Sequence, residues 1–284
     1  MPVLADERHL ALELVKRCGE IALRIQSGGA SSLDAREKPD AQGPVTRADL
    51  AVEAEIIRTL REAYPDDAIL AEESARDQVW SQAERVWMID PVDGTKDFAE
   101  GSSSWAIHIG LCIDGVPALG VVHEPGSDRT SWAIIHGDQR MAWTRTNGNA
   151  ASALHGIGQG LDPRWQLVTS RSHKSPRLGP LADALGIGSE QQLHTGSTGV
   201  KIAMVARGEA RYYAHPSLGT KLWDSCAPQV ILQAAGGTVT SMTGEPLRYT
   251  GPVLDNQHGL LASAPGSDHA ALVERLRPLV ETWF

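Results

Sequence analysis

An apolar run from Val86 to Ile89 stops abruptly in Asp90-Pro-Val-Asp93-Gly94-Thr95. A short apolar stretch bounded by turn residues reads as a buried strand, so two carboxylates leave a sheet together at its end. Unpaired carboxylates at such a place are costly and need a cation, a hydrogen-bond network or exposure in a cleft. A divalent metal would satisfy both. Gly94 lets the backbone approach a ligand closely, and Thr95 can begin a helix whose free N–H groups favour an anion such as phosphate. A cation on one side and an anion on the other is the layout of metal-assisted phosphate chemistry.

Three familiar motifs share parts of this pattern and none fits. Haloacid-dehalogenase-type phosphatases place two aspartates at i and i+2, whereas Asp90 and Asp93 stand at i and i+3. A Walker A loop needs Gly-Lys-Ser/Thr, but the order here is Gly94-Thr95-Lys96. An EF-hand needs acids at alternate positions and a distant glutamate.

The chain is long enough, at 284 residues, for one large domain or two closely packed ones. Its net charge of −9 argues against binding a nucleic-acid backbone, while a small anion needs only a local basic pocket. Cys18, Cys112 and Cys226 are far apart and form no Cys-x-x-Cys pair, which reads as buried free thiols. No apolar run is long enough for a membrane span and no signal-type core opens the chain, so a cytoplasmic protein is the default expectation.

Residues 7–26 carry the spacing of a packing helix, and a polar loop follows at Glu37 to Gly43. Asp49 falls near the start of a helix through Leu50, Ala54, Ile57 and Leu60, where an acid is ordinary on dipole grounds alone. Ala68 to Ala71 reads as a strand ending in Glu72; lying beside the strand at 86–89, it would bring Glu72 to the same edge. From Ser102 onward an antiparallel meander is expected, with Asp114-Gly115 as a hairpin turn. These elements make an N-terminal α+β half, 1–150.

The C-terminal half, 151–284, alternates strands and helices, which suggests an α/β layer. A linker is expected at 156–160 and a strand at 165–169 that runs into the donor-rich loop Ser170-Arg-Ser-His173-Lys174. A turn from His194 to Gly199 should open a helix at 200–207, a second candidate anion site. Asp224 is a plausible N-cap of a helix that ends at Gly236-Gly237, with Pro228 as a local conflict. Short strands are expected at 238–242, 247–249 and 260–264, then a final helix at 268–279.

Taken jointly, Pro44-Val-Thr-Arg-Ala-Asp49, Ala71-Glu72-Glu73-Ser74, Trp87 to Thr95 and Trp223-Asp224 with Gly236-Gly237 resemble the inositol monophosphatase superfamily, in its order and approximate spacing, over nearly the whole chain. Within it, Lys38-Pro39-Asp40, Asp93-Gly-Thr-Lys96-Asp-Phe98, Ser170 to His173 and Ser197 to Lys201 are similar to the 3'(2'),5'-bisphosphate nucleotidase branch. The resemblance implies a layered αβαβα sandwich and a magnesium-dependent, lithium-sensitive phosphomonoesterase. Two to three Mg2+ ions would be held by Glu72, Asp90, Asp93, Asp224 and the Val92 carbonyl. Asp49 and Thr95 would be catalytic, orienting and deprotonating water, and the Gly94 and Thr95 amides would hold the phosphate. Ser170, His173, Ser197 and Lys201 match positions that contact the nucleotide. The implied partner is a small phosphorylated nucleotide, adenosine 3',5'-bisphosphate with its sulfated precursor as a further substrate; an inositol or sugar phosphate is the alternative, and a homodimer is left open. One departure stands out: several members carry an arginine just after the strand at 210–214, where this chain has Ala214-His215-Pro216.

Overall fold

The computed structural model describes residues 4–38, 44–74, 80–154, 164–172 and 175–284. The chain opens with α1 (Ala5–Ser27), the single turn α2 (Ala30–Leu33) and a two-residue ladder of β1 (Arg36–Glu37) with β2 (Pro44–Val45). Helix α3 (Arg47–Ala63) follows. It is started by a capping box, in which Ala48 N donates to Thr46 Oγ1 at 3.1 Å and Thr46 N to Asp49 Oδ2 at 2.7 Å.

Seven strands then build one sheet in sequence order: β3 (Ala68–Ala71), β4 (Arg85–Asp93), β5 (Ala106–Ile113), β6 (Val116–Glu124), β7 (Arg129–His136), β8 (Gln139–Thr146) and β9 (Ser152–Ala153). The short helix α4 (Thr95–Ala99) links β4 to β5. Strands β3 and β4 are parallel, as the placement of Glu72 requires, and the rest form an antiparallel meander turning at Asp114-Gly115. Both of those turn residues have positive φ, 51° and 73°, which suits the twist of a two-residue hairpin.

The second sheet has the order β11-β10-β12-β14-β13, from β10 (Trp165–Ser170), β11 (Gln192–Thr195), β12 (Ala210–His215), β13 (Thr238–Thr240) and β14 (Leu260–Ser263). Helices α5 (Leu178–Leu185), α6 (Thr198–Ala206), α7 (Leu222–Ala235) and α8 (His269–Val280) complete it. Apolar faces explain the stacking. Leu14, Val15 and Cys18 of α1 and Val52, Ile56 and Leu60 of α3 pack on one face of the large sheet. Between the sheets lie α6 and α7, with Ile202, Val205, Val230 and Ile231 against Val122, Ala133, Val168 and Tyr213. Leu181 of α5 and Leu272 and Leu276 of α8 cover the far face of the small sheet. The result is the expected αβαβα sandwich.

Three local expectations are corrected. The strand at 86–89 runs on through both aspartates to Asp93. His194 and Thr195 belong to a strand rather than a turn, because parallel pairing with β10 continues through Ser170↔Thr195. Residues 247–249 form no strand; Tyr249 is anchored instead by its hydroxyl, which lies 2.9 Å from both Ser225 Oγ and Gln229 Oε1. The expected linker at 156–160 lies outside the described residues.

Glycines set the distance between α7 and the large sheet. A Cβ on Gly120 would collide with the Ala227 carbonyl, and one on Gly110 would lie 2.6 Å from Cys226 Sγ. Their absence lets α7 settle onto β5 and β6, which carries Asp224 in its first turn to the end of β4. The helix continues through buried Pro228, whose missing N–H leaves the Asp224 carbonyl without its usual helical donor.

Candidate active site

Along an ordinary strand, residues three apart face opposite sides. In β4 the ladder is irregular: Asp90 pairs with His108 and Asp93 with Ala106, three steps on one strand against two on the other. This bulge brings both acids to the same side of the sheet. Beyond it, Gly94 takes φ +95°, and an added Cβ would lie 3.1 Å from Ser197 N and 3.2 Å from Ser104 O. Only glycine fits there without moving two other backbone segments.

One cavity of about 710 Å³ is lined by Glu72, Asp90, Val92, Asp93 and Asp224 together with Gly94 and Thr95. From the C-terminal half, Ser170, Ser197 and Lys201 reach the same cavity. Asp49 is fully buried behind it and touches it through Thr95, whose Oγ1 lies 3.1 Å from Asp49 Oδ1 and 3.0 Å from the Val92 carbonyl. Asp49 thus caps α3 with Oδ2 and meets Thr95 with Oδ1. His173 lies outside the described residues.

The electrostatics of the cluster are unbalanced. Burial, followed by repulsion from Glu72, Asp93 and Asp224, pushes the Asp90 carboxyl well above the usual carboxylate range. Asp224 is pushed up to about 7 by burial and by Asp93 and Glu72, against the Lys221 N–H that donates to its Oδ2 at 2.7 Å. Asp93 goes the other way: burial opposes its ionisation, but His108, Lys201 and the Ser197 hydroxyl outweigh that and hold it at about 2. Asp49 is raised to about 6, mainly by burial, with its Thr46 hydrogen bonds opposing. Glu72 is met by Lys38 Nζ at 2.5 Å, which also pairs with Glu73 at 2.6 Å. Buried carboxylates that repel one another, beside a carbonyl oxygen, are a hard all-oxygen donor set that fits a divalent cation such as magnesium.

The protonation pattern yields an expected result. Asp49 and Asp224 have folded-state values above their usual range, so the cation-free fold carries a cost that is fully present above about 7 and is relieved as pH falls through 7 and 6. Divalent cations compete with those protons. Magnesium should therefore raise Tm more at pH 8 than at pH 5, as read by thermal melts with and without chelator. An equal rise at both pH values would contradict this electrostatic picture.

Glu53 and Arg177 escaped sequence reading, and Ser197 and Lys201 make contacts that the sequence did not indicate. Glu53 of α3 accepts Glu73 N at 2.7 Å and Ser74 Oγ at 2.5 Å, and so fixes the segment that carries Glu72. Ser197 caps α6 by accepting Val200 N at 3.0 Å and donates its hydroxyl to Asp93 Oδ2 at 2.6 Å. Lys201 is nearly buried, with Nζ 5.6 Å from the centre of the Tyr213 ring, and burial lowers it to about 8 against Asp93, Asp97 and Asp224. Arg177 supports the loop with the departure Ala214-His215-Pro216 from behind. It donates to the Pro216 carbonyl at 3.0 Å and the Trp283 carbonyl at 2.8 Å, with its guanidinium over Phe284.

The sequence profile of the inositol monophosphatase family matches residues 5–281. The chain belongs to that family. The 3'(2'),5'-bisphosphate nucleotidase CysQ of Escherichia coli (strain K12) is 32% identical over 241 residues, which cover 84% of this chain and 92% of that protein. Histidinol-phosphatase of Mycobacterium tuberculosis is 31% identical over 249 residues, covering 84% and 88% respectively. In three dimensions an IMPase of Thermotoga maritima superposes with a TM-score of 0.77 at 22% identity, over 98% of this chain and 100% of that one. The family's metal dependence agrees with the acidic cluster found here. No helix among the described residues is long and apolar enough to cross a membrane.

Proposed function

We propose that this member of the inositol monophosphatase family removes the 3'-phosphate of adenosine 3',5'-bisphosphate, and of 3'-phosphoadenylyl sulfate, with magnesium as cofactor and lithium as inhibitor. The observation that carries this reading is the cavity shared by the acidic cluster, by Thr95 with Asp49 behind it, and by Ser170, Ser197 and Lys201 of the other half. Similarity to the CysQ nucleotidase over 84% of the chain supports it. Its volume, about 710 Å³, lies within the range of roughly 300–1,000 Å³ usual for small-molecule sites.

Glu72, Asp90, Asp93, Asp224 and the Val92 carbonyl would hold magnesium, which when bound supplies positive charge against the phosphoryl oxygens and acidifies water near neutral pH. The chain's own residues do the rest. Asp49 Oδ1 takes the Thr95 hydroxyl proton as Thr95 Oγ1 takes one from the attacking water. The water oxygen bonds to phosphorus, the bond from phosphorus to the 3'-oxygen breaks in line, and the departing alkoxide takes its proton from solvent water. The Gly94 and Thr95 amides orient the phosphate, and Ser170 and Lys201 receive the remainder of the nucleotide. His173 belongs to the same proposal on its motif alone.

Lys201→Met tests the nucleotide part. A charge-assisted hydrogen bond contributes about 1.5–3 kcal/mol, so kcat/KM for the bisphosphate should fall roughly ten- to hundredfold, while inositol 1-phosphate is turned over as before. Lys201 also acts electrostatically on Asp93. Equal losses on both substrates would assign it to the acidic cluster and remove the second-phosphate contact.

A further inference from the structure

One side chain beside the acidic cluster has no part in the chemistry just described. His108 lies in the middle of β5, opposite Asp90 in the ladder, and is fully buried. Its Nε2 is 3.2 Å from Asp93 Oδ2, yet neither ring nitrogen is aligned for a hydrogen bond with any described protein atom. A buried polar group without a partner is costly, and the neighbouring positions Ile107, Ile109 and Leu111 show that the strand otherwise selects apolar residues.

Direct metal ligation is one candidate role, since donor atoms of Asp90, Asp93 and His108 all lie within 4.8 Å of one another. The surroundings argue against it. His108 does not line the cavity, and its ring is pressed so closely against Gly199 that a Cβ there would overlap Nε2. Gly199 thus occupies the space beside Nε2 that an ion would need. The oxygen it faces is also already engaged, because Asp93 Oδ2 accepts from Ser197 Oγ at 2.6 Å and from Gly199 N at 2.7 Å. Three donors surround Oδ2, which leaves Oδ1 as the oxygen free to face the cluster.

We propose that His108 is a positioning residue for the divalent-cation site: together with Ser197 and the Gly199 N–H it clamps Asp93 Oδ2, so that Oδ1 is presented to the cation in one orientation. At 3.2 Å, a small rotation of either side chain aligns the Nε2–H tautomer with Oδ2. The clamp joins a strand of the large sheet to the start of α6, so the carboxylate's orientation is set by how helix and sheet dock. Groups that orient a metal ligand in this way typically carry about 10- to 100-fold in metal affinity. This inference rests on the metal-dependent reading above.

The test measures cation affinity itself, with the purified full-length chain and no substrate: magnesium by titration calorimetry and manganese by electron paramagnetic resonance. His108→Leu keeps the bulk and removes both nitrogens; His108→Gln returns an N–H donor near the position of Nε2. His108→Leu should weaken both cations by about 10- to 100-fold. Its cation-free Tm should stay level, because leucine fills the same space among apolar neighbours. His108→Gln should bind near the wild-type level. Wild-type affinity in the Leu variant overturns the proposal, as does a Gln variant as weak as Leu. A histidine serving only the fold would show the reverse pattern, a lower Tm with affinity unchanged. A wild-type chain that binds neither cation overturns the metal-dependent reading and this inference with it, whereas wild-type binding beside an unaffected Leu variant overturns this inference alone.

Discussion

Asp49→Asn is expected to lower kcat by about 10²- to 10⁴-fold on every substrate, the range that general-base catalysis contributes. Asp49 Oδ1 is 3.1 Å from Thr95 Oγ1, and burial raises its carboxyl to about 6, where a base is poised for work near neutrality. The wild-type rate should fall as pH drops through about 6, because the protonated form cannot accept the Thr95 proton. The variant's residual rate should lack that limb. Its stability should hold or improve at pH 8, since the substitution removes a buried charge and leaves an acceptor for the Thr46 N–H. Stopped phosphate-release assays between pH 5 and 9 read the first effect and thermal melts the second. A variant with wild-type turnover would return Asp49 to a purely capping role in α3.

Asp93→Asn should abolish turnover and leave a folded protein. The change creates no cavity, but it removes the one buried carboxyl in the cluster that its surroundings hold ionised, at about 2. It also turns a shared acceptor of the Ser197 hydroxyl and Gly199 N–H into a group with half that capacity. Cation affinity should fall along with activity. Circular dichroism and calorimetry on the same preparation separate the cases, for a loss of soluble protein with normal cation binding would make Asp93 a structural residue.

Much of the site was legible because its parts sit at ends of locally patterned elements. The apolar run before Asp90, the strand before Glu72 and the helix starts at Asp49 and Asp224 all announce themselves by period and punctuation. What could not be read was how those ends are aimed. The bulge that brings Asp90 and Asp93 to one side depends on β5 as a partner. The Ser197 hydroxyl serves Asp93 across 104 residues of sequence, and no local pattern marks such a contact. His108 gave no signal beyond a lone polar residue inside an apolar strand. Glu53 reads from sequence as one more acid on a surface helix, yet it is buried beneath Glu73 and Ser74. The expected strand at 247–249 failed for a related reason: Tyr249 fills its place by reaching Ser225 and Gln229 on α7.

Parallel specificity constants for adenosine 3',5'-bisphosphate and inositol 1-phosphate, measured with purified protein in magnesium, test the proposed activity most directly. The bisphosphate should be preferred by roughly ten- to hundredfold, the contribution expected of one charge-assisted contact to its second phosphate. Equal or reversed preference would mean that Ser170 and Lys201 do not read a nucleotide, and that this family member acts on a sugar or inositol phosphate.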